Sequence, residues 1–344
     1  MNASPAVPVL FVLLPNTLML DLAGPAEVLR LATKLALPMG PQASAHGADG
    51  APQQFALSYI GPTDTVQTSI GLPLYGIAPL PAQLPPGAIV VLVGTSPGIG
   101  AQGPDGCVDA AADAVSGWLQ RVVAPSGLRL MCICSGALLA ARAGLLDGRQ
   151  CTTHHSLCAT LQAAAPRAKV LEDRLYVTDG HVSTSAGITA GIDMMLHLVA
   201  ELAGPRAACH VARDMVVYMR RGGADPQLSP WISGRNHLHR ALHRVQDAVA
   251  ADPARDWRAD EMAQIACSST RHLGRLFREH VGSSPLDYLQ RLRAALAREL
   301  IAQSSLGMES IAERAGFGSA RHMRRVWRKF EQEAPSEGRH VRGD

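Results

Sequence analysis

LRLMCICSGALLAARAGLLDG, residues 128–148, is an unbroken apolar run that passes through Cys134, Ser135 and Gly136 into a helical pattern of small residues. A strand that alternated apolar and polar residues would show water one face. A continuous run instead predicts a strand covered on both faces, as in a mostly parallel sheet sandwiched by helices. The same rhythm extends outward: VPVLFVLL (7–14), helical DLAGPAEVLRLATKLA (21–36), FALSYI (55–60), AIVVLV (88–93) and helical DAAADAVSGWLQRVV (109–123). This alternation predicts a doubly wound α/β domain. Residues 191–217 carry two further helical patterns split by Gly204 and Pro205, and RRGGADPQLSP (220–230) has the composition of a linker. The expected organisation is a sheet domain over 1–220, a connection over 221–235 and a second domain over 236–342.

That second domain has no strand series. It reads as helices at NHLHRALHRVQDAVAA, RADEMAQIA, TRHLGRLFREH, SPLDYLQRLRAALARELIAQ, MESIAERA and SARHMRRVWRKF. Laid on itself at a separation of 50, it aligns His272 with His322, Leu273 with Met323, Arg275 with Arg325 and Phe277 with Trp327, an internal repeat. In each copy the apolar positions (Leu273, Leu276, Phe277; Met323, Val326, Trp327) form a stripe that packs inward, leaving Arg271, Gly274, Arg275 and Arg278, or Arg321, Arg324, Arg325 and Arg328, turned wholly or partly outward. Such a helix fits the major groove, where arginine reads guanine in bidentate fashion and phosphate contacts add salt-sensitive affinity. An arginine face also suits plain solvation; its occurrence twice favours a bipartite DNA reader. Phe277 and Trp327 are expected in the core rather than as stacking platforms for bases.

The chain has 344 residues, 47% hydrophobic and 18% charged, which excludes a disordered tail. Its net charge of +3 hides a division: 13 basic and 15 acidic residues precede Arg235, against 19 and 14 from there onward. Within 271–329 the balance is 12 basic to 5 acidic, the footprint expected of a nucleic-acid-binding face. The opening MNASPAVPVLFVLLPN lacks a basic leader and its apolar run stops at Asn16, so a cytoplasmic protein without a membrane partner is expected. Seven scattered cysteines give no disulfide scaffold or four-cysteine zinc site.

Cys134 stands where a strand hands over to a helix, an elbow that can present a nucleophile, and a helix N-terminus is expected to favour its thiolate. His154, in TTHHS, and Asp21, after the first strand, fall at comparable sheet-edge locations, so cysteine, imidazole and carboxylate could meet; a buried structural cysteine is the alternative. His154 and His155, adjacent and diverging, make no zinc pattern. No metal and no cofactor are expected. The glycines of GTSPGIG (94–100) suit a loop that offers backbone amides to a small ligand, though not a phosphate loop of the GxxxxGK[ST] kind.

IAERAGFGSARHMRRVWRKF and HLGRLFREHVGSSPLDYLQRLR resemble the paired helix-turn-helix domain of AraC/XylS-family transcription regulators, over roughly 235–342. Carried over by position, the base-facing residues are Arg271, Gly274 and Arg275 in the first unit and Ala320, Arg321, Arg324 and Arg325 in the second. Departures from the family pattern are Cys267 and Ser268 at the first turn, the missing side chain at Gly274, and a closing motif only partly kept in PSEGRH. Residues 7–202 resemble the flavodoxin-like DJ-1/PfpI fold, related to class I glutamine amidotransferase domains, with Cys134 on the elbow, His154 on the frequent histidine partner and Asp21 on the acidic position. The combined order is similar to the GlxA-type subgroup of AraC regulators. The resemblance implies a sensory and dimerising sheet domain that binds a small-molecule effector around Asp21, Gly94, Cys134, Ser135 and His154, with a double-stranded DNA operator, a second copy of the chain and the transcription machinery as partners. The alternative is a cysteine-dependent enzyme of hydratase, amidase or deglycase character, using Cys134, His154 and Asp21, that carries a DNA-binding domain.

Overall fold

The computed structural model describes residues 5–36, 53–96, 107–217, 221–228, 231, 234–235 and 237–330. The chain divides into two compact units, Met1–Gln227 and Leu228–Asp344.

The first unit is a mixed α/β domain. Its strands in the main sheet are β1 (Val7–Val12), β2 (Phe55–Gly61), β5 (Ala78–Pro79), β6 (Ile89–Leu92), β7 (Arg129–Ile133), β10 (Tyr176–Asp179) and β11 (Val182–Ser185). They lie in the order β10-β11-β7-β6-β1-β2-β5, parallel throughout except for the antiparallel edge pair β10–β11. The unbroken apolar runs have a direct cause. Val9, Phe11, Val91, Met131 and Ile133 face one apolar cluster, with α1 (Met19–Ala36), α5 (Thr189–Ala203) and α6 (Pro205–Asp214). Leu10, Val12, Val90, Leu92, Leu130 and Cys132 face the other, with α2 (Cys107–Trp118), α3 (Gly136–Arg142) and α4 (Cys158–Ala164). Every residue of such a strand is covered, so none need be polar.

Three features escaped the periodicity. A hairpin of β3 (Thr65–Gln67) and β4 (Pro73–Tyr75), a two-stranded pair of β8 (Gln150–Cys151) and β9 (Lys169–Val170), and the β10–β11 edge are too short or too polar to stand out from turns. The start of the expected connection is also tied to the sheet domain: Leu175 N donates to Gly223 O (3.1 Å) and Gln227 N donates to Asp173 Oδ1 (2.8 Å).

The second unit is all helical among its described residues: α7 (Arg240–Ala251), α8 (Ala259–Ile265), α9 (Thr270–Val281), α10 (Pro285–Gln303), α11 (Met308–Arg314) and α12 (Ala320–Phe330). It holds two apolar cores. One joins α7, α8 and α9 to Tyr288, Leu289 and Leu292 at the front of α10; the other joins α11 and α12 to Ala297 and Ile301 farther along α10. The repeat extends to capping. Ser269 Oγ accepts His272 N–H and Ser319 Oγ accepts His322 N–H, both at 3.2 Å, satisfying the first free amides of α9 and α12 alike. The first turn is one residue shorter than the second, so Cys267 (φ +53°), two residues past α8, takes the place of Gly316 (φ +80°), two residues past α11, and the thiol-bearing residue adopts a left-handed conformation that glycine enters freely. PSEGRH lies outside the described residues.

Candidate functional site

In the sheet domain the site is built by close approach of α1 and α5. Gly24 makes this possible, since a Cβ there would stand 2.8 Å from Ile192 Cγ1 of α5, while one at Gly191 would crowd Ile133 Cγ2 of β7 at 3.2 Å. Asp21, in the first turn of α1, thereby meets Ile188, the residue before α5. Ile188 N–H donates to Asp21 Oδ1 at 2.5 Å across 167 residues of sequence. Ile188 holds φ +50° and ψ −117°, a conformation outside the regions open to a β-branched residue.

Cys134 also has positive φ, +54°. Strand alternation would turn Cys132 and Cys134 the same way, yet Cys132 packs in the α2–α3 cluster and Cys134 in the α1–α5 cluster. The kink at the elbow swings the thiol across. Cys134 N–H donates to Ser185 O (3.0 Å) and its carbonyl accepts from Thr153 Oγ1 (2.8 Å). Ser135 Oγ accepts Thr95 N–H (2.7 Å) and donates to Thr95 O (2.9 Å), clamping the end of β6 to the elbow. Two glycines close the surroundings. A Cβ at Gly94 would fall 2.3 Å from Asp21 Oδ2 and 2.8 Å from Cys134 Cβ; one at Gly187 (φ +84°) would fall 2.3 Å from Cys134 Cβ.

Asp21 is fully buried and Cys134 only 5% exposed. Burial raises the Asp21 carboxyl to about 6, against the opposing pull of its bonds to Ile188 N–H and the Cys134 thiol. Burial, then the neighbouring Asp21 charge, pushes the Cys134 thiol up to about 12. The expectation of a favoured thiolate therefore reverses: the Ser135 N–H at the helix start lowers the thiol's pKa, but less than burial and Asp21 raise it. Among the described residues, His154 makes no hydrogen bond to Cys134 or Asp21. Its Nδ1 pairs with Ser156 Oγ (2.8 Å), its ring lies 4.2 Å from that of His155, and burial and His155 lower its pKa. The structure thus brings Asp21 to Cys134 but forms no cysteine–histidine–aspartate relay among the described residues.

Ile188, Gly187 and Thr153 were missed in the sequence. Thr153 lies in TTHHS (152–156) and the other two in GHVSTSAGITAG (180–191), but the backbone roles of Gly187 and Ile188, and a threonine hydroxyl aimed at a carbonyl, leave no signature in residue type. Residues 97–100 of the glycine loop lie outside the described residues, and no group of three or more His, Cys, Asp or Glu among those described is arranged to hold a metal ion.

The Asp21 carboxyl makes a testable statement about stability. Its folded value, about 6, lies above its ordinary 3.8, so the folded state binds the proton more tightly. Stability therefore falls as pH rises from about 4 to about 6 and stays lower above that. Asp21→Asn keeps an acceptor for Ile188 N–H without the buried charge. It is expected to raise unfolding free energy by about 2–3 kcal/mol above pH 6 and to make little difference below pH 4. Urea unfolding of both proteins at pH 4 and pH 7.5 checks this; equal differences at the two pH values would contradict it.

In the helical domain Arg271, Arg275 and Arg278 on α9 and Arg321, Arg324, Arg325 and Arg328 on α12 are exposed, opposite the buried stripes Leu273–Leu276–Phe277 and Met323–Val326–Trp327. Position 274 opens to solvent, with nothing within 4 Å of a Cβ built there. Ala320 differs from its expected outward placement. It is 1% exposed and packs in the α11–α12 core, where its N–H donates to Glu309 Oε2 of α11 (3.0 Å). Arg275 Nη2 rests against His272 Nδ1 at 3.2 Å.

Among the described residues, no helix is long and apolar enough to cross a membrane. A family model described as the DJ-1/PfpI family matches residues 88–201, and one described as a helix-turn-helix domain matches residues 262–340. The chain is 35% identical over 211 residues to the HTH-type transcriptional regulator GbdR of Pseudomonas aeruginosa, covering 60% of this chain and 56% of that one. It is 34% identical over 209 residues to the HTH-type transcriptional regulator GlxA of Rhizobium meliloti, covering 61% and 64%. These matches thus span little more than half to under two thirds of those relatives' lengths. With the HTH-type transcriptional regulator Rv1931c of Mycobacterium tuberculosis it shares 30% identity over 233 residues, covering 63% of this chain and 85% of the relative. Matched in both its sheet and its helical domain, the chain belongs to the AraC/XylS-type helix-turn-helix transcriptional regulators that carry a DJ-1/PfpI-like domain.

Proposed function

We propose that this protein is a sequence-specific DNA-binding transcription regulator of the cytoplasm, whose helical domain reads a double-stranded operator with two helix-turn-helix units, α8–α9 and α11–α12. The observation that carries this reading is the repeated arginine face. Two helices with the same serine cap bury the same apolar stripe and expose seven arginines between them. Arg271 and Arg275, then Arg321, Arg324 and Arg325, read base edges, while Arg278 and Arg328 serve the phosphates. Gly274 lets the backbone of α9 lie near the groove without adding a readout. The shared helix α10 holds the two readers as one body, since its front half packs in one core and its rear half in the other.

In the same reading the sheet domain senses a small metabolite around Asp21, Gly94, Cys134, Ser135 and His154, and the chain acts as a homodimer that engages the transcription machinery. The protonated thiol, and a His154 that pairs with Ser156, favour sensing over cysteine-dependent turnover. Selection of genomic fragments by the full chain, followed by fluorescence anisotropy at several salt concentrations, tests the DNA reading. A shared motif should emerge, bound at least a thousandfold more tightly than random duplex. Each phosphate contact should contribute about −0.9 to the slope of log affinity against log salt. Equal affinity for selected and random duplexes would overturn the reading.

A further inference from the structure

The stretch Arg221 to Gln227 ends the sheet domain along the chain, and its composition, RGGADPQ, suggests slack. It is stitched down instead. Arg221 clamps Asp193 of α5, with Nε 3.0 Å and Nη2 2.6 Å from Oδ2 and its backbone N 3.3 Å from Oδ1, and Nη2 also donates to Thr189 Oγ1 at 2.8 Å. Asp193 is 5% exposed, so this is a buried carboxylate whose charge Arg221 answers. Gly223 lies so close to β10 that a Cβ there would stand 2.5 Å from Tyr176 O. Arg174 Nη1 donates to Ala224 O (2.8 Å), and Gln227 Nε2 donates to Thr153 O (2.8 Å).

Both ends of this arm land on residues that frame Cys134. Thr189 directly follows Ile188, whose strained backbone is held by the Asp21 carboxylate; Thr153 holds the Cys134 carbonyl through its hydroxyl. We propose that the arm from Arg221 to Gln227 is the output element of the Asp21–Cys134 site, with Arg221 and Gln227 as positioning residues through which the state of that site sets whether the arm is docked. The inference rests on reading the sheet domain as a sensor. Its physical basis is the stored strain at Ile188, which persists only while its surroundings hold it. A group that takes over the Asp21 carboxylate frees Ile188 to relax, which shifts Thr189 and removes one of the two anchors of Arg221. Docked and released arms are then the two states that a ligand biases by binding one better than the other.

Amide hydrogen exchange of the full chain without DNA, read by mass spectrometry on peptides spanning 221–227, tests this directly. Asp21→Ala, which leaves Ile188 N–H without an acceptor, should raise exchange of the arm about tenfold. Asp21→Asn, which keeps an uncharged acceptor, should give a smaller rise, about threefold, and decides alone if the alanine variant does not fold. Arg221→Ala should raise exchange by itself, and either Asp21 substitution should then add nothing further, a non-additivity that independent structural damage does not produce. Wild-type exchange in the Asp21 variants, or fully additive effects, would overturn the proposal. Because no DNA is present, failure here leaves the DNA reading intact, and failure of the DNA reading leaves this result standing.

Discussion

Replacing Arg321 and Arg325 together by alanine is expected to abolish selective DNA binding while leaving the protein folded. The two lie four residues apart on α12, hence on one face, and both are exposed. A good bidentate arginine–guanine pair discriminates by about 1–3 kcal/mol, so losing two costs about 2–6 kcal/mol, or roughly 30-fold to 10⁴-fold in affinity for the selected motif. Binding to random duplex should weaken far less, since Arg271, Arg275, Arg278, Arg324, Arg328 and Lys329 stay in place to meet phosphates. Neither side chain belongs to the α12 core, so unfolding free energy should move by no more than about 0.5 kcal/mol. Anisotropy on motif and random duplexes, with urea unfolding alongside, separates these outcomes. Equal loss on both duplexes would mean that α12 supplies charge alone.

The second large effect concerns Cys134. With its thiol pushed up to about 12, its thiolate fraction at pH 7 is about 10⁻⁵, against a few per cent for an ordinary cysteine, so reaction with iodoacetamide should run roughly a thousandfold slower or more. Cys209 and Cys267 are exposed and serve as controls within the same molecule. The profile for Cys134 should keep rising well past pH 9. Asp21→Asn removes the charge that opposes the thiolate and should speed labelling at pH 8. Rapid labelling of Cys134 in the wild type at pH 7 would contradict the buried, protonated thiol and reopen a nucleophilic role.

Much of the fold was legible because its signals are local. The apolar runs at 7–14, 88–93 and 128–133 announced strands covered on both sides, and the stripes at 273–277 and 323–327 announced which helix face is buried. The elbow at Cys134 was legible for the same reason, as a strand running straight into small residues. What its thiol does was not. A reading from helix position alone gave the wrong sign for its pKa, since a single N–H from the helix start is a weaker influence than the burial that α1 and α5 impose. Ala320 was misplaced by a similar step: positional transfer put it at the groove, while packing against α11 buries it.

The sequence by itself determined the two-part organisation, the sheet and helical characters of the parts, the internal repeat and the outward arginines. Each follows from periodicity, and periodicity is a property of neighbours along the chain. Only the tertiary structure decided that Asp21 meets Cys134 while His154 Nδ1 pairs with Ser156, that Ile188 is held in strain, and that a glycine-rich stretch with a linker's composition is docked by Arg221 and Gln227. Those outcomes join residues up to 167 positions apart and turn on burial, which no local pattern encodes.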